Sequence, residues 1–308
     1  MNLGEAIDEI SRYYIGDRSA VEKAVAALIA GGHVLIEDVP GVGKTLLAKL
    51  ISKVLGLSYR RIQFTPDLLP SDITGTKVWR REKEEFETIK GPIFTNILLA
   101  DEINRAPPKT QAALLEAMQE MQVTIEGDTY KLEEPFLVIA TQNPLELEGT
   151  YPLPEAELDR FMLRLSLGYP DDKLLLKERL AWKSDDPSAS AKRLMSRYDV
   201  LSLRFASEDV EVVEEVIDYI ARFSAIRRDP RVVAGPSPRA LISLMKAARA
   251  YALVKGRKFV VPDDVKMLAV DVLAHRVYLK PEHKLEGLDS REVVREYLAK
   301  IPVPKWKK

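Results

Sequence analysis

His33-Val34-Leu35-Ile36-Glu37-Asp38-Val39-Pro40-Gly41-Val42-Gly43-Lys44-Thr45-Leu46-Leu47 is the stretch that decides the fold. Its first five residues form a short, β-branched, apolar run, and the pattern predicts a buried strand. A glycine-rich turn follows. From Lys44 to Leu55, the residues Leu46, Leu47, Leu50, Ile51 and Val54 share one helical face, and Gly56 lies just past the end. Strand, loop and helix in that order open an α/β unit. In such a loop the glycines let backbone N–H groups curl toward an anion, and the helix N-terminus adds a favourable dipole. Lys44 would then reach the β- and γ-phosphates of a nucleotide, and the Thr45 hydroxyl would hold Mg²⁺. The phosphate-cradling set is Pro40, Gly41, Val42, Gly43, Lys44, Thr45 and Leu46. The usual pattern begins with a glycine; Asp38 stands in that place here, while the Gly-Lys-Thr that carries the phosphate and metal chemistry is intact. By itself the motif points to nucleotide binding and no further.

Working outward, Ala20 to Ala30 has helical spacing and is stopped by Gly31-Gly32. Tyr59 to Phe64 predicts a second strand. Pro66 to Lys90 is polar and irregular, an insertion with a hairpin around Arg81 to Glu85. Thr95 to Ala100 predicts a third strand, and Pro107-Pro108 starts a helix running to about Met121. Val123 to Leu132, turning at Gly127-Asp128, alternates like an exposed hairpin. Phe136 to Thr141 and Met162 to Leu167 predict the fourth and fifth strands, the latter after a short acidic helix. Around Gly168-Tyr169-Pro170-Asp171 the pattern changes, and no further strand is expected. Asp209 to Ile226, Pro238 to Val254 and Pro262 to Val277 read as helices, and Ser184 to Arg193 as a mobile loop. The expected division is an α/β domain over 1–170, with an insert at about 66–92 and a hairpin at about 122–132, then a smaller all-helical domain over 171–308.

Ile97-Leu98-Leu99-Ala100-Asp101-Glu102 is a buried strand ending in two carboxylates. A strand that ends beside the phosphate loop aims Asp101 at magnesium, and Glu102 can polarise a water for in-line attack on a γ-phosphate. A kinase would not need that second carboxylate; a hydrolase does.

Composition narrows the classes. The 308 residues carry 46 Lys and Arg against 47 Asp and Glu, a net charge of −1, so general affinity for nucleic acid is not indicated. There is no cysteine, which excludes disulfides, thiolate metal sites and cysteine nucleophiles and fits a reducing, cytoplasmic setting. The three histidines, His33, His275 and His283, have no ligand spacing. The start of the chain does not read as a signal peptide, and the apolar runs are too short to insert in a membrane. Lys305-Trp306-Lys307-Lys308 reads as a solvated tail.

With these motifs in order the chain resembles AAA+ ATPases, and within them the MoxR family. The resemblance covers nearly the whole chain. It rests on Glu37 to Thr45, Gln63-Phe64-Thr65-Pro66-Asp67-Leu68-Leu69-Pro70-Ser71-Asp72, and Lys90-Gly91-Pro92-Ile93-Phe94. The most specific part is Asp101-Glu102-Ile103-Asn104-Arg105-Ala106 with Leu114-Leu115-Glu116-Ala117-Met118. Ala140-Thr141-Gln142-Asn143-Pro144 and Glu157-Leu158-Asp159-Arg160-Phe161 complete it. The resemblance implies an AAA+ P-loop core, with a parallel sheet flanked by helices, followed by a helical lid, and hydrolysis of ATP with Mg²⁺. It also implies roles for individual residues. Asn143 matches sensor 1, although an Asn-Pro turn is the plainer reading. Arg160 matches the arginine finger that reaches a neighbouring subunit's ATP; a salt bridge to Asp159 or Glu157 is the alternative, and Arg164 is a second candidate. Arg239 matches sensor 2, against an exposed or ion-paired arginine. Tyr14-Ile15-Gly16 is similar to the segment flanking the adenine, so Ile15 and Gly16 join the candidate nucleotide contacts, with a hydrophobic staple as the alternative. The insert and the Val123 to Leu132 hairpin match the helix-2 insert and pre-sensor 1 hairpin. Trp79 with Arg80, Arg81 and Lys83 could touch a client or be an ordinary charged hairpin. The partners so implied are sister subunits in a ring of six, a client protein matured or assembled at the expense of ATP, metal-cofactor insertion included, and a von Willebrand factor A domain protein. A motor acting on nucleic acid is the alternative, and a nucleotide-gated scaffold with little turnover a further one.

Overall fold

The computed structural model describes residues 3–145, 149–181 and 186–304. Helices α1 (Leu3–Tyr13) and α2 (Arg18–Ile29) lead into β1 (Val34–Glu37), and α3 (Lys44–Val54) into β2 (Tyr59–Gln63). A short α4 (Pro70–Thr74) and the hairpin β3 (Gly75–Arg80) with β4 (Glu85–Lys90) form the insertion. Then come β5 (Ile97–Asp101), α5 (Pro108–Glu120), the hairpin β6 (Gln122–Ile125) with β7 (Asp128–Lys131), β8 (Leu137–Gln142), α6 (Glu155–Leu158) and β9 (Leu163–Leu165). The remaining elements are α7 (Asp172–Ala181), α8 (Arg197–Glu208), α9 (Glu214–Arg222), β10 (Val232–Ala234), α10 (Pro238–Val254), α11 (Pro262–Leu273), β11 (Tyr278–Leu279), α12 (Pro281–Leu285) and α13 (Ser290–Lys300).

The five expected strands form one parallel sheet in the order β2-β5-β8-β1-β9. The central strands are apolar on both faces because helices cover both, as parallel crossovers require. Alternation along each strand feeds two cores. Val34, Ile36, Leu99 and Ile139 face α1, α2, α3 and the helical half. Leu35, Leu98, Ala100 and Val138 face α5 and the β6–β7 hairpin. Edge strand β2 keeps Arg60, Arg61 and Gln63 outward, and such polar edges discourage pairing with another sheet. The first core does not stop at the sheet: it runs on through Leu244, Ala248, Leu268, Val272 and Val293 of α10, α11 and α13.

The helical half departs from expectation in four places. It is not all-helical, because β10 and β11 form a small antiparallel ladder. The helix expected over Asp209 to Ile226 begins at Glu214 and ends at Arg222, followed by a 3₁₀ turn to Arg228. Glu211 is instead extended, donating its N–H to the Lys258 carbonyl and accepting from Val260. The helix expected to Val277 ends at Leu273 and tightens into a 3₁₀ turn. Helices α7 and α8 carry few buried apolar residues and so gave no clear stripe. In the segment expected to be a mobile loop, Ser184 and Asp185 lie outside the described residues. Pro187–Ser190 is a 3₁₀ turn capped by Asp186, which pairs with Lys49 at 2.7 Å. The Lys305 to Lys308 tail also lies outside the described residues.

Two buried histidines tie the sheet to its surroundings. His33 accepts the Val138 N–H on Nδ1 at 3.0 Å and donates from Nε2 to the Met118 carbonyl at 3.2 Å, so the fold uses the neutral ring. Burial lowers its pKa to about 4 and pushes that of His275 in the same direction. Above pH 6.5 neither the folded nor the unfolded ring is protonated, and the full stability is present. Below it the unfolded chain takes up a proton that folded His33 refuses, so stability falls as pH drops from about 6.5 toward 4. His33 alone is expected to remove ~3 kcal/mol over that window. Urea midpoints between pH 7 and 5, before most carboxylates titrate, should fall steadily; a flat profile there would refute the assignment.

Candidate active site

The carboxyl ends of β1, β5 and β8 open on the same edge of the sheet, the usual place for a ligand in open α/β folds. After β1 the chain turns through Gly41 (φ 88°) and Gly43 (φ 89°), left-handed conformations that only glycine adopts freely. Gly43 is also the N-cap of α3. A side chain on Gly41 would meet nothing within 4 Å, because the loop borders a cleft of about 360 Å³. Pro40, Gly41, Gly43, Lys44, Thr45, Leu46, Asp101, Glu102 and Asn143 line it. Val42 is the exception among the loop residues: its side chain is buried in the first core and anchors the turn from below.

Lys44 Nζ donates to the Asp38 carbonyl at 2.5 Å. Burial lowers its pKa, and the carboxylates of Asp38, Asp101 and Glu102 oppose that shift. Asp38, in the place of the usual first glycine, has a defined task. Its carboxylate accepts from Ser166 Oγ at 3.0 Å and from the Leu167 N–H, mooring the loop to the segment that leaves β9. A glycine could not do this.

The two carboxylates are held by their neighbours in the sheet. Asp101 Oδ1 accepts from Thr141 Oγ1 at 2.6 Å, and Oδ2 accepts from Arg61 Nη2 at 2.7 Å and Nε at 3.2 Å. Glu102 has φ 55° and ψ 51°, a costly backbone for a non-glycine residue, and such strain concentrates at functional sites. Its N–H donates to Thr141 Oγ1 at 2.8 Å, so one buried hydroxyl orients both acidic residues. Glu102 Oε2 accepts from Gln63 Nε2 at 2.8 Å and Arg105 Nη1 at 3.0 Å. Asn143 is buried and its Oδ1 accepts the Leu145 N–H at 3.1 Å, so the Asn-Pro turn and a cleft-lining position coexist.

The other candidates lie elsewhere. Arg160 is outside the cleft: Nη1 donates to the Leu115 carbonyl at 3.0 Å and Gln119 Oε1 at 2.5 Å on α5. The alternative salt bridge to Asp159 does not form, because Arg276 takes that carboxylate. Arg164 is largely buried on β9, 3.6 Å from Glu37. Arg239 is exposed and also outside the cleft. The Arg276 guanidinium is held below its ordinary range by burial and, in smaller measure, by Arg239's charge. Ile15 and Gly16 do not line the cleft but adjoin it through Tyr14. That ring abuts both Gly43, where a Cβ would approach to 3.2 Å, and Gly16, where it would clash at 2.6 Å. Asp17 then caps α2, accepting the Ser19 N–H at 2.8 Å.

Thr45 and Asp101 offer hard oxygen donors at the mouth of the loop, the ligand type Mg²⁺ takes. Among the described residues no three His, Asp or Glu side chains gather to hold an ion unaided. Arg61, Gln63, Arg105 and Thr141 went unremarked as site residues in the sequence. The strand order brings Arg61, Gln63 and Thr141 to the two carboxylates, while Arg105 reaches Glu102 from three residues on; Gln63, Arg105 and Thr141 stand inside the stretches quoted above.

Comparison with known proteins finds relatives along nearly the whole chain. Residues 33–163 match a family described as the ATPase family associated with various cellular activities, and residues 224–297 match its lid domain. The uncharacterised YeaC of Bacillus subtilis is 47% identical, over 98% of this chain and 95% of its own. Chaperone MoxR1 of Mycobacterium tuberculosis is 42% identical, over 98% and 82%. The crystal structure of an ATPase candidate from Cytophaga hutchinsonii superposes with a TM-score of 0.89 at 41% identity, covering 98% of this chain and 94% of that one.

Proposed function

The chain belongs to the MoxR family of AAA+ ATPases, and from that premise we propose that it hydrolyses Mg²⁺·ATP in a ring of identical subunits to remodel or mature a client protein. The observation that carries the reading is the convergence of Lys44, Thr45, Asp101, Glu102 and Asn143 on one cleft. In this reading residues 1–170 bind the nucleotide and 171–308 form the lid. The loop amides and Lys44 hold the phosphates, and Thr45 and Asp101 hold the metal. Mg²⁺, when bound, neutralises charge on the β- and γ-phosphate oxygens. Glu102 orients the attacking water and accepts its proton, while the Asn143 amide hydrogen-bonds the water or the γ-phosphate. Arg160, outside its own cleft and hydrogen-bonded to α5, serves the neighbouring subunit's. The client, a von Willebrand factor A domain protein among the options, and metal-cofactor insertion as its purpose follow from the family resemblance; the cytoplasmic setting rests on the cysteine-free composition. No helix among the described residues is long and apolar enough to cross a membrane. A relative named as a chaperone favours a protein client over nucleic acid.

The test is phosphate release by the purified chain with ATP and Mg²⁺, measured over a wide range of protein concentration. Because each site borrows Arg160, turnover per subunit should rise with concentration and level off as assembly saturates, in step with molar mass by light scattering. Absence of release at any concentration would remove the ATPase reading. A rate per subunit independent of concentration through the assembly transition would remove the shared site.

A further inference from the structure

Arg61 has no part in the mechanism above, yet it holds the carboxylate assigned to the metal. Asp101 Oδ1 is committed to Thr141, a side chain almost wholly buried and itself fixed by the Glu102 N–H. Oδ1 keeps one lone pair, and Oδ2 is the oxygen free of that neighbour. Arg61 approaches that one oxygen with two donors, Nη2 at 2.7 Å and Nε at 3.2 Å, enough to use both of its lone pairs. A metal ion or its water shell that reaches Asp101 through Oδ2 meets the guanidinium there, one that uses the remaining lone pair of Oδ1 still lies beside it, and a guanidinium beside a dication repels it. We propose that Arg61 competes with the metal for Asp101: it caps Oδ2 before Mg²⁺ arrives with the nucleotide and must swing aside when it does. The proposal rests on the reading of Asp101 as a metal-holding carboxylate.

The fold permits such a movement. β2 is an edge strand, Arg61 points outward from it, and its side chain is 48% exposed, so displacing it disturbs no core packing. A second partner stands ready, since Arg61 Nη2 also donates to Gln63 Oε1 at 2.9 Å. Its counterpart is not mobile: the Asp101 side chain is 16% exposed at the end of a buried strand. The cation therefore yields, and the carboxylate stays.

The direction of the effect separates this role from a structural one. If Arg61 merely held Asp101 in place, removing it would weaken metal binding; if it competes, removing it tightens binding. The experiment titrates Mn²⁺ into the full-length chain carrying one equivalent of a slowly hydrolysed ATP analogue, following loss of the free-ion electron spin resonance signal. Arg61→Ala and the longer Arg61→Met should both bind the ion on the order of tenfold tighter than the parent. Arg61→Lys, which keeps the charge, should stay near the parent. Affinity for the analogue without metal, and the melting temperature, should be unchanged in all three. Equal or weaker Mn²⁺ binding by Arg61→Ala and Arg61→Met, while Asp101→Asn weakens it, overturns the competition alone. Unchanged binding by Asp101→Asn overturns the assignment of Asp101 as well.

Discussion

Replacing Glu102 with glutamine is expected to leave binding of Mg²⁺·ATP intact and to lower turnover by about 10²–10⁴-fold, the usual worth of a positioned general base. Glutamine has nearly the same shape, and the backbone of residue 102 is fixed by Thr141, so the left-handed turn survives the change. The substitution removes a negative charge and an acceptor that can take a proton. Gln63 and Arg105 hold Oε2 in the structure, so the carboxylate is presented from a defined position rather than sampled from many. Nucleotide affinity by calorimetry, beside phosphate release under saturating ATP, checks both halves of the expectation. Turnover equal to the parent's would deprive Glu102 of its role whatever its position in the cleft.

Arg160→Ala is the second large effect. A guanidinium supplied by a neighbour contributes roughly 10³–10⁵ in rate in related phosphoryl-transfer enzymes, and a loss of about 10³-fold is expected here. Its contacts are a carbonyl and a side-chain amide on α5, neither of them a buried ion pair. Stability should therefore change little, and each subunit's own cleft should bind ATP as before. The decisive measurement is mixing. Arg160→Ala subunits keep Glu102, and Glu102→Gln subunits keep Arg160, so two inactive preparations together form some complete sites. Activity that reappears on mixing supports donation between subunits. Two inactive partners that remain inactive in a co-assembled ring would remove the donation of Arg160 between subunits.

Local grammar made much of this molecule readable. The strand-loop-helix around Lys44 was legible because the period changes at two glycines that need left-handed backbone. Helix α10 matches its expected span because Ser237 caps it, accepting the Ala240 N–H, Pro238 starts it and Gly256 follows it. Helix α8 was not legible: among its twelve residues only Val200 and Ser207 are buried, so no stripe announces it. The β10–β11 ladder is too short to leave a period. The cleft itself was half legible. Lys44, Thr45, Asp101, Glu102 and Asn143 belong to motifs. Thr141 stands in one of them too, but its role, like that of Arg61 outside any motif, shows only once β5 lies between β2 and β8, a pairing across about 40 residues that no local window contains. Arg239 shows the reverse limit. A motif match associates it with phosphate, but its side chain is exposed and does not line the cleft.

The apolar layer that passes without a break from beneath β1 into α10, α11 and α13 bears on how such a machine can flex. Swinging the helical half open like a door would wet that layer, at about 25 cal/mol for every Å² exposed. Sliding helices past one another keeps it dry. Shear is therefore the inexpensive motion available to this subunit, made of small displacements shared among many contacts rather than a large rotation about one.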